Sequence, residues 1–215
     1  MSKSLRVVFM GTPAFAVPGL RSIVESQHEL VGVVTAPDRP AGRGKNLRFS
    51  AVKEAALEYN IPLFQPEKLP SEDTVAQLKA LEADVFVVVA FRMLPKVVWE
   101  LPQLGTFNLH ASLLPQYRGA APIHWSIING EQVSGLTTFL IDAKIDTGAI
   151  LLQKKLDILA SDTMGTLSER MQAQSGELII ATLNGLASGT LKPMPQQEAT
   201  AVSYTHLTLP TTKNV

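Results

Sequence analysis

The chain has 215 residues, of which 46% are hydrophobic and 18% charged, so it is long and apolar enough to fold around a full hydrophobic core. The 19 Lys and Arg residues balance 19 Asp and Glu residues, so any nucleic-acid binding must come from a local patch rather than from bulk charge. Because the chain has no cysteine, disulfides, thiolate metal sites and a thiol nucleophile are excluded. No uncharged apolar run reaches the roughly 18 residues of a membrane span, so we expect a soluble, cytoplasmic protein without a membrane partner.

Strand and helix signals alternate along the chain. Apolar, β-branched runs predict strands at 5–10, 30–35, 61–64, 85–90, 106–110, 136–141 and 150–156. Helical spacing and capping residues predict helices at 14–26, 50–59, 71–81 and 122–129, and a last helix from 162 or 163 to Gly185 or Gly189. This alternation predicts an α/β fold with an open, mostly parallel sheet and helices on both faces. Ligands bind such sheets beyond the carboxyl ends of the strands.

Polar side chains occur at two of these strand ends. Asn108 and His110 are two residues apart at the end of an apolar strand, so they lie on one face of it. The next strand end carries Asp142 and Asp146, followed by Gly148. These residues fit a catalytic site, although a strand-end pair without a ligand and two turn-capping carboxylates fit the same pattern. The segment offers too few oxygen ligands for a metal, so we expect none.

The loop after the second strand, Ala36 to Phe49, is basic and rich in Pro and Gly. Five cations and one anion lie between Asp38 and Lys53, in a chain of zero net charge. A connection of about 14 residues is longer than most and is often functional. At the ligand-binding edge of a sheet it fits a polyanion, while a solvated loop without a partner is the alternative.

Four motifs together resemble the folate-dependent formyltransferase family. They are Asn108-x-His110, then Ser112-Leu113-Leu114-Pro115, then Arg118-Gly119-Ala120-Ala121-Pro122, and finally Asp142-x-x-x-Asp146-Thr147-Gly148. The basic loop, with Pro37-Asp38-Arg39-Pro40-x-Gly42-Arg43-Gly44, is similar to that of the branch acting on methionyl initiator tRNA. The resemblance extends from Leu5 to about Thr205.

This resemblance implies a Rossmann-like catalytic domain and a reaction in translation initiation. The formyl group of 10-formyltetrahydrofolate, a co-substrate, would move to the α-amine of methionyl initiator tRNA, with no metal and no protein partner. It also implies roles for residues at the matching positions. Asn108, His110 and Asp146 would be catalytic, Ser112, Leu113, Leu114 and Pro115 would bind tetrahydrofolate, and Arg43 would engage the acceptor end of the tRNA.

The chemistry of formyl transfer suits these residue types. An amine attacks the formyl carbon and the carbonyl oxygen gains negative charge, which the Asn108 amide can stabilise by donating a hydrogen bond. His110 can donate to the same oxygen or move protons. Asp146 can orient the imidazole, favour its charged form and accept the proton of the amine.

Near the carboxyl terminus the sequence departs from the pattern of this family. We expect a catalytic domain at 1–189, the start of a linker at 190–205 and an anomalous, disordered tail at 206–215. The family's smaller C-terminal β-barrel domain is expected to be absent, which weakens tRNA binding. Two other functions stay open: a related formyltransferase with a small amine acceptor, and a catalytically weak fragment that binds folate or tRNA.

Overall fold

A seven-stranded sheet forms the centre of the computed structural model, which describes residues 3–41, 46–197 and 203–204. The strands are β1 (Arg6–Gly11), β2 (Glu29–Val34), β3 (Arg39–Ala41), β4 (Asn46–Arg48), β5 (Leu63–Phe64), β6 (Val85–Val89), β7 (Thr106–His110), β8 (Arg118–Gly119), β9 (Val133–Leu140), β10 (Ile150–Asp157) and β11 (Ser203–Tyr204). The sheet order is β10-β9-β7-β6-β1-β2-β5. The five strands from β7 to β5 in that order are parallel, whereas β9 and β10 pair antiparallel. The predicted fold class is confirmed.

Helices cover both faces of this sheet. They are α1 (Val17–Val24), α2 (Ala51–Glu58), α3 (Glu72–Ala80), α4 (Lys96–Trp99), α5 (Pro122–Ile128) and α6 (Met164–Ser188). Val7 and Phe9 of β1 are buried in the core shared with α1, α2 and α6. Their neighbours Val8 and Met10 are buried in a second core with α3 and α4. Burial on both faces explains why β6 is apolar throughout its length.

Local sequence signals set the ends of the longer helices. The side chains of Ser50 and Ser71 accept hydrogen bonds from backbone N–H groups in the first turns of α2 and α3. Thr163 forms a capping box with Thr166 at the start of α6. Gly189 ends that helix in the left-handed conformation, with φ 66°. The sequence predicted helix starts at Ser50 and Ser71, and for α6 a start at Asp162 or Thr163 and an end near Gly185 or Gly189, of which the structure has Thr163 and Gly189.

The structure differs from the sequence prediction at short elements. Residues 14–26, predicted as one helix, begin with a 3-10 turn at Ala14–Ala16, and α1 follows with Pro18 in its first turn. The basic loop contains a small antiparallel ribbon of β3 and β4, which was predicted to be unstructured. The single turn of α4 and the two-residue strands β8 and β11 were also missed. Such short elements depend on tertiary contacts rather than on periodic sequence patterns.

Candidate active site

A cavity of about 800 Å³ lies at the carboxyl ends of β6 and β7. Its walls come from the segments that follow β6, β8 and β9. The carboxyl ends of the parallel strands β6 and β7 form the edge of the sheet where such a fold binds ligands. The lining is mostly apolar, with Phe91, Met93, Leu94, Phe139 and Ile141 among its residues. A few polar groups face the same space. This combination is typical of a small-molecule site.

The predicted trio of Asn108, His110 and Asp146 lines this cavity. Asn108 and His110 belong to β7, while Asp146 belongs to the loop between β9 and β10. The Oδ1 atom of Asn108 is buried and has no hydrogen-bond partner in the part of the chain that the structure describes. Buried polar atoms are nearly always paired, so this oxygen has capacity for a ligand.

Hydrogen bonding determines which nitrogen of His110 can exchange protons. Its Nε2 lies 2.8 Å from the carbonyl oxygen of Tyr117. A carbonyl oxygen only accepts, so Nε2 carries hydrogen in either charge state of the ring. The Nδ1 atom lies 3.6 Å from Oδ2 of Asp146. Nδ1 is therefore the nitrogen that gains or loses a proton, next to a carboxylate.

The Asp146 carboxylate is held by the backbone of the short strand β8. Its Oδ2 accepts a hydrogen bond from the Gly119 N–H at 2.8 Å. Asp146 has a left-handed backbone with φ 53°, and the cavity-lining residues Ala90 and Ala121 have φ 47° and 57°. Such conformations cost about 1–3 kcal/mol each in L-residues and cluster at functional sites. The cavity therefore combines the polar trio with backbone strain.

The Ser112–Pro115 segment is not among the residues that line the cavity. Leu114 is buried against Phe139 and Ile150. The Leu114 N–H donates to Thr137 Oγ1 at 3.1 Å, and the Gln153 side chain donates to Leu114 O at 2.8 Å. Ser112 Oγ donates to Gln116 O at 2.6 Å. These groups already have protein partners, so the structure does not bring this segment into the cavity with the trio.

The predicted tRNA contact Arg43 lies outside the described residues. On either side of it, Arg39 and Arg48 are exposed and are paired across the β3–β4 ribbon. Lys53 pairs with Asp38 and is largely buried. Hydrogen bonds from Lys53 and Gln65 lower the pKa of Asp38. Lys53 therefore ties the start of the ribbon to α2, and Arg39 and Arg48 are exposed cations that a polyanion could contact within the described part of the loop.

The sequence interpretation overlooked one wall of the cavity, Ala90–Leu94, which follows β6. The carboxyl end of β6 lies at the expected edge of the parallel strands, so the rule that ligands bind there could have identified this wall. Its surface is mainly apolar, so a search for polar strand-end residues missed it. The wall that follows β9 contains Asp142 and Asp146, which the sequence had already indicated as candidates.

The described ranges contain neither a metal-binding cluster nor a membrane-spanning helix. Residues 3–41, 46–197 and 203–204 hold no group of three or more His, Asp or Glu side chains that could bind a metal ion. None of the helices in these ranges has the length and apolar character needed to cross a membrane.

Known proteins resemble this chain over most of its length. The formyl transferase family profile matches residues 5–183. A methionyl-tRNA formyltransferase of Bacteroides thetaiotaomicron is 50% identical over 200 residues, covering 93% of this chain and 62% of the relative. One of Flavobacterium psychrophilum is 52% identical over 201 residues, covering 93% and 64%. The chain thus spans somewhat less than two thirds of the length of the curated relatives it matches.

Solved structures share the fold. A phosphoribosylglycinamide formyltransferase from Bacillus halodurans has a TM-score of 0.71 and 27% identity, covering 85% of this chain and 95% of the other. An N-formyltransferase from Helicobacter canadensis, solved with folinic acid and dTDP-3-aminofucose, has a TM-score of 0.72 and 22% identity. That alignment covers 94% of this chain and 71% of the neighbour.

Proposed function

The chain belongs to the formyl transferase family, and we propose that it transfers the formyl group of 10-formyltetrahydrofolate to the α-amine of methionyl initiator tRNA. The observation that carries the proposal is the convergence of Asn108, His110 and Asp146 on one largely apolar cavity. Relatives about half identical to this chain bear the name methionyl-tRNA formyltransferase, which favours this acceptor.

The cavity suits the folate donor in size and character. Its volume of about 800 Å³ falls in the range of roughly 300–1,000 Å³ that is usual for sites holding a ligand of this size. Phe91, Met93, Leu94 and Ile141 give apolar walls for a bicyclic ring. The neighbour from Helicobacter canadensis, of the same fold, was solved with a folate derivative.

The reaction needs direct attack without an enzyme-bound intermediate. The amine nitrogen forms a bond to the formyl carbon, and the carbonyl electron pair moves to the oxygen. The Asn108 amide N–H stabilises this oxyanion, and its unpartnered Oδ1 suits an N–H of the attacking amine. The oxyanion then collapses, the bond from carbon to the donor nitrogen breaks, and tetrahydrofolate leaves.

His110 and Asp146 handle the protons of this reaction. The attacking amine loses one proton and the departing folate nitrogen gains one. Because Nε2 is fixed on Tyr117 O, Nδ1 of His110 is the atom suited to this exchange. Asp146, 3.6 Å from it, stabilises the positive charge that develops on the amine or on the ring.

The basic ribbon supports a tRNA acceptor. It follows β2, whose carboxyl end lies at the same edge of the parallel sheet as those of β6 and β7. Exposed Arg39 and Arg48 offer donors to phosphates, and we keep Arg43 as the proposed contact to the acceptor end. A tRNA acceptor also implies that the reaction takes place in the cytoplasm. We propose residues 1–189 as the catalytic domain, with 190–205 as the linker that leaves it.

A comparison of acceptors tests this proposal. The 215-residue chain is incubated with 10-formyltetrahydrofolate and either methionyl initiator tRNA or glycinamide ribonucleotide, the acceptor named for the fold neighbour from Bacillus halodurans. We expect transfer to the tRNA to be faster by at least about tenfold in kcat/KM. Faster transfer to the ribonucleotide would assign the chain to the small-acceptor branch. Absence of transfer to both would refute the enzyme activity.

A further inference from the structure

The segment that follows α6 returns to the active-site loops. Met194 exchanges two backbone hydrogen bonds with Ile150, both 2.8 Å long. Two residues later, the Gln196 side chain is half-buried against the loop that carries Asp146. Further along, β11 pairs in parallel with β8. This segment lies beyond residue 183, where the family match ends, and beyond the proposed catalytic domain.

Gln196 uses both ends of its amide to join the loop of Asp146 to Arg118 in strand β8. Its Nε2 donates to the carbonyl oxygens of Asp146 at 2.9 Å and Gly148 at 2.8 Å. Its Oε1 accepts from Nε and Nη2 of Arg118 at 3.0 and 2.8 Å. Arg118 is only 5% exposed, so these bonds form in a site from which water is largely excluded.

Arg118 is the middle one of three consecutive residues that form hydrogen bonds around the candidate site. The carbonyl oxygen of Tyr117 accepts a hydrogen bond from Nε2 of His110, and Arg118 donates to Gln196. The Gly119 N–H donates to the Asp146 carboxylate. Asp146 therefore accepts hydrogen bonds from Gly119 at its carboxylate and from Gln196 at its backbone carbonyl. Because its backbone is left-handed, with φ 53°, it needs surrounding contacts to keep that conformation.

We propose that Gln196 is a positioning residue, which clamps the Asp146–Gly148 loop to Arg118 and so sets the carboxylate against His110. The catalytic unit then extends past residue 189 to include this part of the linker. The inference rests on the proposed function, since it takes Asp146 as a member of the catalytic trio. Gln196 itself is not placed in contact with substrate.

Two substitutions separate this clamp from a merely structural role. Gln196→Glu keeps an acceptor for Arg118 but removes the donors to the Asp146 and Gly148 carbonyls. Gln196→Met removes both interactions at similar volume. Gln103→Met makes the same chemical change at an exposed turn residue and serves as the matched control.

The first readout is hydrogen exchange of the Gly119 amide in the 215-residue chain without substrate. Both Gln196 variants should raise its exchange rate by about tenfold or more, whereas Gln103→Met should not. The second readout is transfer kinetics, in which both variants should lower kcat by roughly 10- to 100-fold while KM for the donor changes by less than about threefold.

Specific outcomes would overturn the inference. If Gln196→Glu exchanges at the wild-type rate while Gln196→Met does not, the residue serves only to pair Arg118. A kcat of Gln196→Glu equal to that of the wild type would likewise show that Gln196 serves only to pair Arg118. If the wild-type chain transfers no formyl group to any acceptor, the proposed function fails, and the exchange comparison alone decides whether the clamp exists.

Discussion

Replacing Asp146 by Asn tests the role of its charge with little change in shape. The Asn side chain keeps an oxygen that can accept from the Gly119 N–H, which the carboxylate binds at 2.8 Å. Asn also tolerates the left-handed backbone with φ 53°, whereas Asp146→Ala adds about 1–2 kcal/mol of backbone strain. The Asn variant therefore removes the negative charge while keeping the backbone conformation and the hydrogen bond from Gly119.

The separation of the two groups sets the size of the effect. Oδ2 of Asp146 lies 3.6 Å from Nδ1 of His110, and both side chains are largely buried. At an effective dielectric constant of about 20, opposite charges at this distance attract by about 4–5 kcal/mol. If this attraction arises only in the transition state, its loss corresponds to a rate reduction of about 1,000- to 5,000-fold. Residual solvent screening makes about 100- to 1,000-fold the expected range.

Single-turnover transfer at saturating donor measures this effect. We expect the rate to fall by that factor in Asp146→Asn, with the affinity for tetrahydrofolate changed by less than about threefold. Asp157→Asn, at the exposed end of β10, is the matched control and should keep the wild-type rate. A rate within about threefold of wild type in Asp146→Asn, or a change confined to donor affinity, would refute the reasoning.

Three further predictions concern other parts of the chain. Asn108→Ala should lower kcat by about 100- to 1,000-fold without lowering the melting temperature, because it removes a buried oxygen that has no partner among the described residues. Arg43→Ala should impair transfer to methionyl-tRNA but not formylation of a small amine, whereas Arg21→Ala on α1 should change neither. Burial lowers the pKa of His28, so below about pH 6.5 the unfolded state binds more protons than the folded state. The free energy of unfolding should therefore decrease as the pH falls below that value. Urea unfolding should show a smaller decrease in His28→Asn than in the wild type.

Each of these predictions has a contradicting result. A destabilised Asn108→Ala variant with normal kcat would make that residue structural. Equal losses for tRNA and small-amine acceptors in Arg43→Ala would remove its assigned contact with tRNA. The same pH dependence of stability in His28→Asn and wild type would show that other groups bind the protons.

Much of the fold follows from local sequence signals. The run from Thr106 to His110 alternates polar residues with the apolar Phe107 and Leu109, and the structure forms a strand over those same residues. Side-chain alternation along this strand places Asn108 and His110 on one face, as the sequence predicts. Caps such as Ser50 and Gly189 mark helix ends because they satisfy backbone groups close to them in sequence.

The parts that were missed depend on contacts between distant residues. Gln196 reaches Asp146 across 50 positions, and no local pattern marks it. The β3–β4 ribbon pairs two three-residue strands without apolar alternation. Ser112–Pro115 was predicted to bind tetrahydrofolate, and this stays a prediction, although its backbone is bound to Thr137 and Gln153 and lies outside the cavity lining.

Product analysis after a single turnover tests the central claim most directly. The 215-residue chain is mixed with 10-formyltetrahydrofolate labelled in the formyl carbon and with methionyl initiator tRNA, and the amino acid is released and identified by mass spectrometry. We predict labelled N-formylmethionine with the wild-type chain and at least about 100-fold slower formation when both Asn108→Ala and Asp146→Asn are present. Formation of labelled product at equal rates by the wild-type chain and this double variant would contradict the account, because the chemistry would then not take place at the cavity that these residues line.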